Sequence, residues 1–232
     1  MIIDTLQPVS IAINETQRVS AVLKVPSKAR ACYVVAHGAG AGMHHPFMVS
    51  VADGLAERGI ATLRYQFPYM ERGSKRPDPP SVAHATVRAS VAAISDFAPD
   101  LPVIAGGKSF GGRMTSQTHA ESPLPGVCGI AFLGFPLHPA GRPSQERGKH
   151  LVGVRLPMLF LQGSRDTLAD LPLIQRLVKE LGGHATLQVI PDADHSFHVP
   201  VCTGRKDTDV RAEMLDVLAG WTTMVVEATK AS

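Results

Sequence analysis

The chain has 232 residues, of which 44% are hydrophobic and 19% charged. That length supports a full core, with roughly 70–75% of the unfolded surface buried, and that composition excludes a disordered chain. Lys and Arg outnumber Asp and Glu by 23 to 20, a formal charge of +3, too small an excess to argue for nucleic acid or an anionic membrane as partner.

The elements follow in chain order. Met1-Ile2-Ile3-Asp4 has no basic region and no long apolar core, so a signal peptide is not expected. Residues 8–14 and 19–25 alternate apolar and polar around a turn at 14–18, which predicts an antiparallel hairpin. Residues 31–52 carry no charge, but glycines, three histidines and Pro46 break the stretch, so it is not a membrane span. Short apolar runs at 31–36, 60–65, 101–105, 128–133, 157–161 and 185–190 predict strands covered on both faces. Between them lie helical patterns at 47–58, 81–97, 110–121, 169–181 and 207–228; the last places Val210, Met214, Leu218, Trp221 and Val225 on one stripe. Strands alternating with helices predict a mostly parallel α/β sheet with helices on both faces, in a single domain over residues 1–232. Cys32, Cys128 and Cys202 cannot all pair and have no zinc-ligand spacing, so free thiols in a reducing cytoplasm are expected.

The chemistry centres on Gly107-Lys108-Ser109-Phe110-Gly111, a G-x-S-x-G pattern between the strand at 101–105 and the helix at 110–121. A lone match is weak, and a plain glycine-rich turn, even a phosphate-binding one, would look similar. The strand–turn–helix setting strengthens it, because a sharp turn there holds a serine hydroxyl out above the sheet, with no room for side chains beside it. A nucleophilic serine needs a base, and the base an orienting acid. Asp166 follows the strand at 157–161 and His195 the strand at 185–190, so both emerge at strand carboxyl ends, where open α/β sheets place their sites. Asp170, Asp192 and Asp194 are alternative acids, and His198 is an alternative base. Oxyanion donors are expected from the Phe110 amide at the helix start and from the small-residue loop His37-Gly38-Ala39-Gly40-Ala41-Gly42, with Ala39 first and Gly40 next. His37, Gly38, Gly40 and Lys108 are expected to line the substrate pocket, with His37 also buttressing the oxyanion loop. His37, His44 and His45 have no carboxylate or cysteine at ligand spacing, so no metal is expected. The stretch Glu71-Arg72-Gly73-Ser74-Lys75-Arg76 follows a strand and is expected at the same end, as a solvated loop or an attractor of anionic substrate.

The elbow, the glycine-rich loop and the later Asp and His together resemble the α/β-hydrolase superfamily over nearly the whole chain. Within it the chain resembles the small, cap-less group related to dienelactone hydrolases. His37-Gly38-Ala39-Gly40, Gly107-Lys108-Ser109-Phe110-Gly111-Gly112-Arg113 and Phe135-Pro136-Leu137-His138-Pro139 are similar to bacterial relatives of a testis-expressed and chromatin-complex hydrolase-like branch. The resemblance implies an eight-stranded, mostly parallel sheet and a triad of Ser109, Asp166 and His195. It departs from dienelactone hydrolases proper in holding a serine where they hold a cysteine. The expected activity is hydrolysis of carboxylic esters or related small acyl compounds, with no metal or organic cofactor. A thioesterase or peptidase with the same triad, or a non-catalytic interaction module, is the alternative. Residues 134–150 have room for only a short helix, so no large lid is expected.

Overall fold

The computed structural model describes residues 5–231; the tetrapeptide read against a leader, and Ser232, lie outside them. Strands β1 (Thr5–Ala12) and β2 (Arg18–Val25) pair antiparallel along their full length, from Thr5 opposite Val25 to Ala12 opposite Arg18. Asn14 makes the turn: its Oδ1 accepts from the Thr16 and Gln17 amides at 3.0 and 2.9 Å, the local bond that lets Asn mimic a backbone turn.

β3 (Ala31–Ala36), α1 (Pro46–Glu57), β4 (Ile60–Tyr65), α2 (Pro68–Glu71), α3 (Pro80–Ala92), α4 (Ile94–Phe97), β5 (Val103–Lys108), α5 (Phe110–Glu121) and β6 (Val127–Leu133) follow. A 3₁₀ segment (Glu146–Gly153), β7 (Met158–Gly163), α6 (Leu171–Leu181), β8 (Ala185–Ile190) and α7 (Asp207–Lys230) complete the larger elements. The eight strands form one sheet in the order β1-β2-β4-β3-β5-β6-β7-β8. β2 meets β4 antiparallel, and every later pairing is parallel.

Every residue of β3, β4 and β7 is buried, because the sheet is covered on both sides. Alternate residues serve different cores. Val34, Ala105, Phe132 and Phe160 belong to one apolar cluster; Tyr33, Val35, Ile104, Leu133 and Leu161 join Met48 and Leu55 of α1 and Met214 and Leu218 of α7 in the other. Period-2 alternation between two cores is what a continuous apolar run in a doubly covered strand encodes.

The departures from expectation are local. β5 begins at Val103 and runs on through both glycines, because Pro102 lacks an N–H while its carbonyl accepts from Cys32 at 2.9 Å. The helix expected over 81–97 breaks at Ala93, where the Ser95 hydroxyl binds the Ala92 carbonyl at 2.7 Å and competes with the helical ladder. α6 starts at Leu171 because Asp170 caps it, accepting from the Leu173 amide at 3.3 Å.

Candidate active site

Ser109 sits between β5 and α5 with φ 50° and ψ −115°. Few side chains tolerate such a backbone, and the structure holds it there by close packing. A Cβ on Gly107 would lie 2.3 Å from the Ala36 carbonyl oxygen, and one on Gly111 would lie 2.6 Å from both Ala36 Cβ and the His37 carbonyl oxygen. Both glycines are therefore needed for α5 to turn back over β3.

The His195 ring joins this serine to a buried acid. Its Nε2 lies 2.8 Å from Ser109 Oγ and its Nδ1 2.7 Å from Asp166 Oδ2. A carboxylate only accepts, so the Nδ1 proton faces Asp166 and Nε2 is left to accept from the serine hydroxyl. The Asp166 side chain is fully buried. Gln162 Nε2 donates to its Oδ2 at 2.5 Å and the Leu168 amide to its Oδ1 at 2.8 Å.

The other candidate acids are occupied elsewhere. Asp170 caps α6, Asp194 accepts from the Ser196 and His198 amides of its own loop, and Asp192 is an exposed residue with φ 59°. His198 is exposed and bonds Asp207 at 2.8 Å.

The loop after β3 is anchored behind the serine. His37 is completely buried; its Nδ1 donates to the Gly38 carbonyl at 2.8 Å and its Nε2 accepts from the Phe67 amide at 3.1 Å. Burial pushes its imidazole down to about 4, against a smaller opposing pull from the Gly38 carbonyl, so the ring is a neutral strut. It braces the loop from behind, and the expectation that it would line the pocket is not met, because its ring is turned into the core. Gln66 Oε1 accepts from the Met43 amide at 2.8 Å, and the buried Arg64 donates to the Met43 carbonyl at 3.1 Å. The Gly40 amide donates to the Tyr69 hydroxyl at 3.3 Å. Among the described residues the Ala39 and Phe110 amides have no such partner.

Lys108 lies beside the serine. Its Nζ donates to the His195 carbonyl and stands 5.2 Å from the Phe197 ring centroid and 5.8 Å from that of Phe47. Burial lowers its ammonium to about 8, while the Asp166 and Asp194 carboxylates pull upward.

A cleft of about 570 Å³ opens over Ser109 and His195. Gly38, Ala39, Ala41 and Lys108 line it; so do Phe47 and Met48 of α1, Leu168, and Arg211 of α7, while Gly40 does not. Phe47, Met48, Leu168 and Arg211 escaped the sequence reading, because a pocket wall made of helix and loop residues leaves no spacing signal. Gln162 and Tyr69 escaped too, since each acts through the backbone or side chain of another group. The 71–76 stretch contributes no lining residue. It meets the site through the Lys75 carbonyl, which a Cβ on Gly40 would approach to 3.7 Å, while Arg72 pairs with Asp78. Among the described residues there is no group of three potential metal-ligating side chains, and no helix long and apolar enough to cross a membrane.

A mostly parallel eight-stranded sheet with a serine on a strained turn between its fifth strand and the next helix defines a class, the α/β hydrolases. Residues 29–223 match the family model described as alpha/beta hydrolase domain, and the chain belongs to that family. It is similar to the dienelactone hydrolase of Anabaena variabilis, at 21% identity and TM-score 0.76 over 95% of this chain and 98% of that one. A serine hydrolase without lid from Xanthomonas campestris gives 21% and 0.72 over 93% and 94%. The esterase domain of a Rhodothermus marinus protein gives 17% and 0.73 over 96% and 99%. At these identities the likeness is one of fold. The chain is also 31% identical over 182 residues to a Mycobacterium tuberculosis protein that carries the name of a phosphoribosyl transferase. The match covers 77% of this chain but only 39% of that protein. The chain is thus a small, cap-less α/β hydrolase.

Proposed function

We propose that this chain is a serine hydrolase of carboxylic esters or related small acyl compounds, organised as one domain over residues 1–232. The observation that carries this is the continuous chain from Ser109 Oγ through both ring nitrogens of His195 to the buried Asp166 carboxylate. In the first step His195 Nε2 takes the Ser109 proton as Oγ attacks the acyl carbon. Asp166 holds the ring and offsets the imidazolium charge. The Phe110 and Ala39 amides stabilise the developing oxyanion. Collapse of this intermediate breaks the bond to the leaving alkoxide, which takes the proton from Nε2 and leaves an acyl-Ser109 ester. Water then attacks that ester by the same route and releases the carboxylic acid. These steps use only this chain's residues, substrate and water.

The engagement of the Gly40 amide by Tyr69 favours Ala39 as the second oxyanion donor. Three unpaired thiols, with Cys202 exposed, favour a reducing compartment such as the cytoplasm. The closer tie to the testis-expressed branch rests on the motifs at 37–40, 107–113 and 135–139 alone. The transferase named for the mycobacterial protein is not carried over, since the match leaves most of that protein uncovered.

Intact-mass spectrometry after treatment with a fluorophosphonate tests the reading. A single adduct is expected on the peptide carrying Ser109, and none on Ser109→Ala. Ser109→Ala should lower ester turnover by roughly 10³-fold or more at little cost in stability. A panel of esters, thioesters and peptides then separates the acyl classes. An unlabelled native protein that is inactive across the panel would leave the non-catalytic interaction module.

A further inference from the structure

A second cavity, about 470 Å³, lies between α3, α5 and the 3₁₀ segment and shares no lining residue with the cleft over Ser109. Arg113, Gln117 and Glu121 stand one turn apart along α5 and form one wall; His84 of α3 and His150 of the 3₁₀ segment form the others. The charges here are lopsided. Among the described residues the only acid lining the cavity is Glu121, and its Oε2 is engaged by His84 Nδ1 at 3.0 Å.

Arg113 is unusual. Its guanidinium lies 6.0 Å from the Phe110 ring centroid but makes no ion pair or side-chain hydrogen bond among the described residues, and its Nε is buried. Contact with a ring satisfies the face of a guanidinium and leaves its in-plane N–H donors unused. On the facing helix His84, only 9% exposed, has an equally buried and unpartnered Nε2. Native proteins hold few such atoms, and two of them lining one cavity call for a ligand. The electrostatics agree. After burial itself, Arg147 lowers Arg113, and Arg113 and His84 lower His150, whose imidazole is brought to about 4 against an upward pull from the Arg147 carbonyl.

We propose that this groove binds a small oxyanion, a carboxylate or phosphate group, with Arg113 as its principal ligand and the Gln117 amide and His84 as further donors. Arg113 offers a planar fork that matches two oxygens of either group. The Gln117 side chain has no hydrogen-bond partner among the described residues and lines the same wall. As an imidazolium, His84 donates to Glu121 from Nδ1 and to the oxyanion from Nε2. The site is independent of the hydrolase reading, since none of these groups belongs to the Ser109 cleft.

Titration calorimetry of the full chain with inorganic phosphate and with acetate, at ionic strength held constant by chloride, tests it and distinguishes the two sources of oxyanion. Saturable binding of at least one probe is expected. Arg113→Gln should weaken it about tenfold or more, the effect of losing a charge-assisted bidentate contact. Arg211→Gln, in the other cleft, should leave it unchanged. The probe that binds should raise the melting temperature of the native protein and not that of Arg113→Gln. If Arg113→Gln does not fold, Gln117→Glu supplies the test, because a carboxylate on that wall should abolish binding. No saturable binding of either probe, equal affinity in native and variant proteins, or a loss produced equally by Arg211→Gln would overturn the proposal.

Discussion

At the scale of single residues, the roles proposed for the polar groups around Ser109 can be separated by substitution. Asp166→Asn replaces an acceptor with an amide that can donate toward His195 Nδ1 and favours the wrong imidazole tautomer. The turnover number should fall by about 10⁴-fold, with a lower melting temperature, because the amide cannot accept from Gln162, Leu168 and His195 together. Asp170→Ala removes only a helix cap; it should cost about 1 kcal/mol of stability and leave the turnover number near that of the native protein. Steady-state kinetics beside thermal melts decides between the two, and the reverse pattern would move the acid to Asp170. His37 and His150 make a pH prediction. Burial holds both imidazoles near 4 in the folded chain, below their unfolded value of about 6.5. The unfolded chain therefore binds more protons below about pH 6.5. The stability contributed by these neutral rings is complete above that value and is lost as the pH falls toward 4. Melting temperatures across this window should decline, and His150→Gln, which keeps an acceptor for Ser116, should decline less steeply.

At the scale of elements, the elbow works because α5 is pressed against β3. Gly111→Ala places a methyl 2.6 Å from Ala36 Cβ and the His37 carbonyl oxygen. Overpacking of that kind costs about 1–3 kcal/mol, and the backbone shift that relieves it would move Ser109 away from His195. Both the melting temperature and the turnover number should fall; a variant that is destabilised but fully active would show that the elbow does not depend on this contact. This arrangement was legible in the sequence to an unequal degree. The mostly apolar runs marked every parallel strand, and β3, β4 and β7 are buried on both faces, with Thr62 and Arg64 of β4 and Gln162 of β7 as buried polar exceptions. β8, at the sheet edge, is half-buried and was expected to be covered on both faces. Helix ends were less legible: a side-chain bond such as Ser95 to Ala92, or a cap such as Asp170, shifts them by a few residues. Ser109, Asp166 and His195 could be placed near one another because each follows the carboxyl end of a strand. The sequence left four aspartates open as the acid, because the bonds of Asp170 and Asp194 to their own neighbours leave no spacing signal. His37 could be expected to buttress the loop that it opens, but its partner Phe67, 30 residues away, could not be named.

At the scale of the whole molecule, the question is what covers the cleft. Residues 134–157 connect β6 to β7 beside the site, yet none of them lines the cleft. Their 3₁₀ segment packs against α5 and α6 instead, with Gly148 close to Leu177 and Leu137. Substrate would therefore meet a fixed wall of α1, α7 and the loop after β3 rather than a helical flap. A cleft of about 570 Å³ accommodates a small ligand, so each added methylene of an acyl chain gains burial only until the cleft is full. Within that limit the gain is about 0.8 kcal/mol per methylene, roughly fourfold in kcat/KM; beyond it the chain extends into water and gains nothing. For p-nitrophenyl esters from acetate to palmitate, kcat/KM should rise over the short members and then level or fall. With no flap to open at a lipid surface, the rate should pass smoothly through the micelle concentration of a long-chain substrate. A steep rise in rate at that concentration would mean that some segment closes over the cleft in solution and is displaced at the interface, and the fixed wall would have to be abandoned.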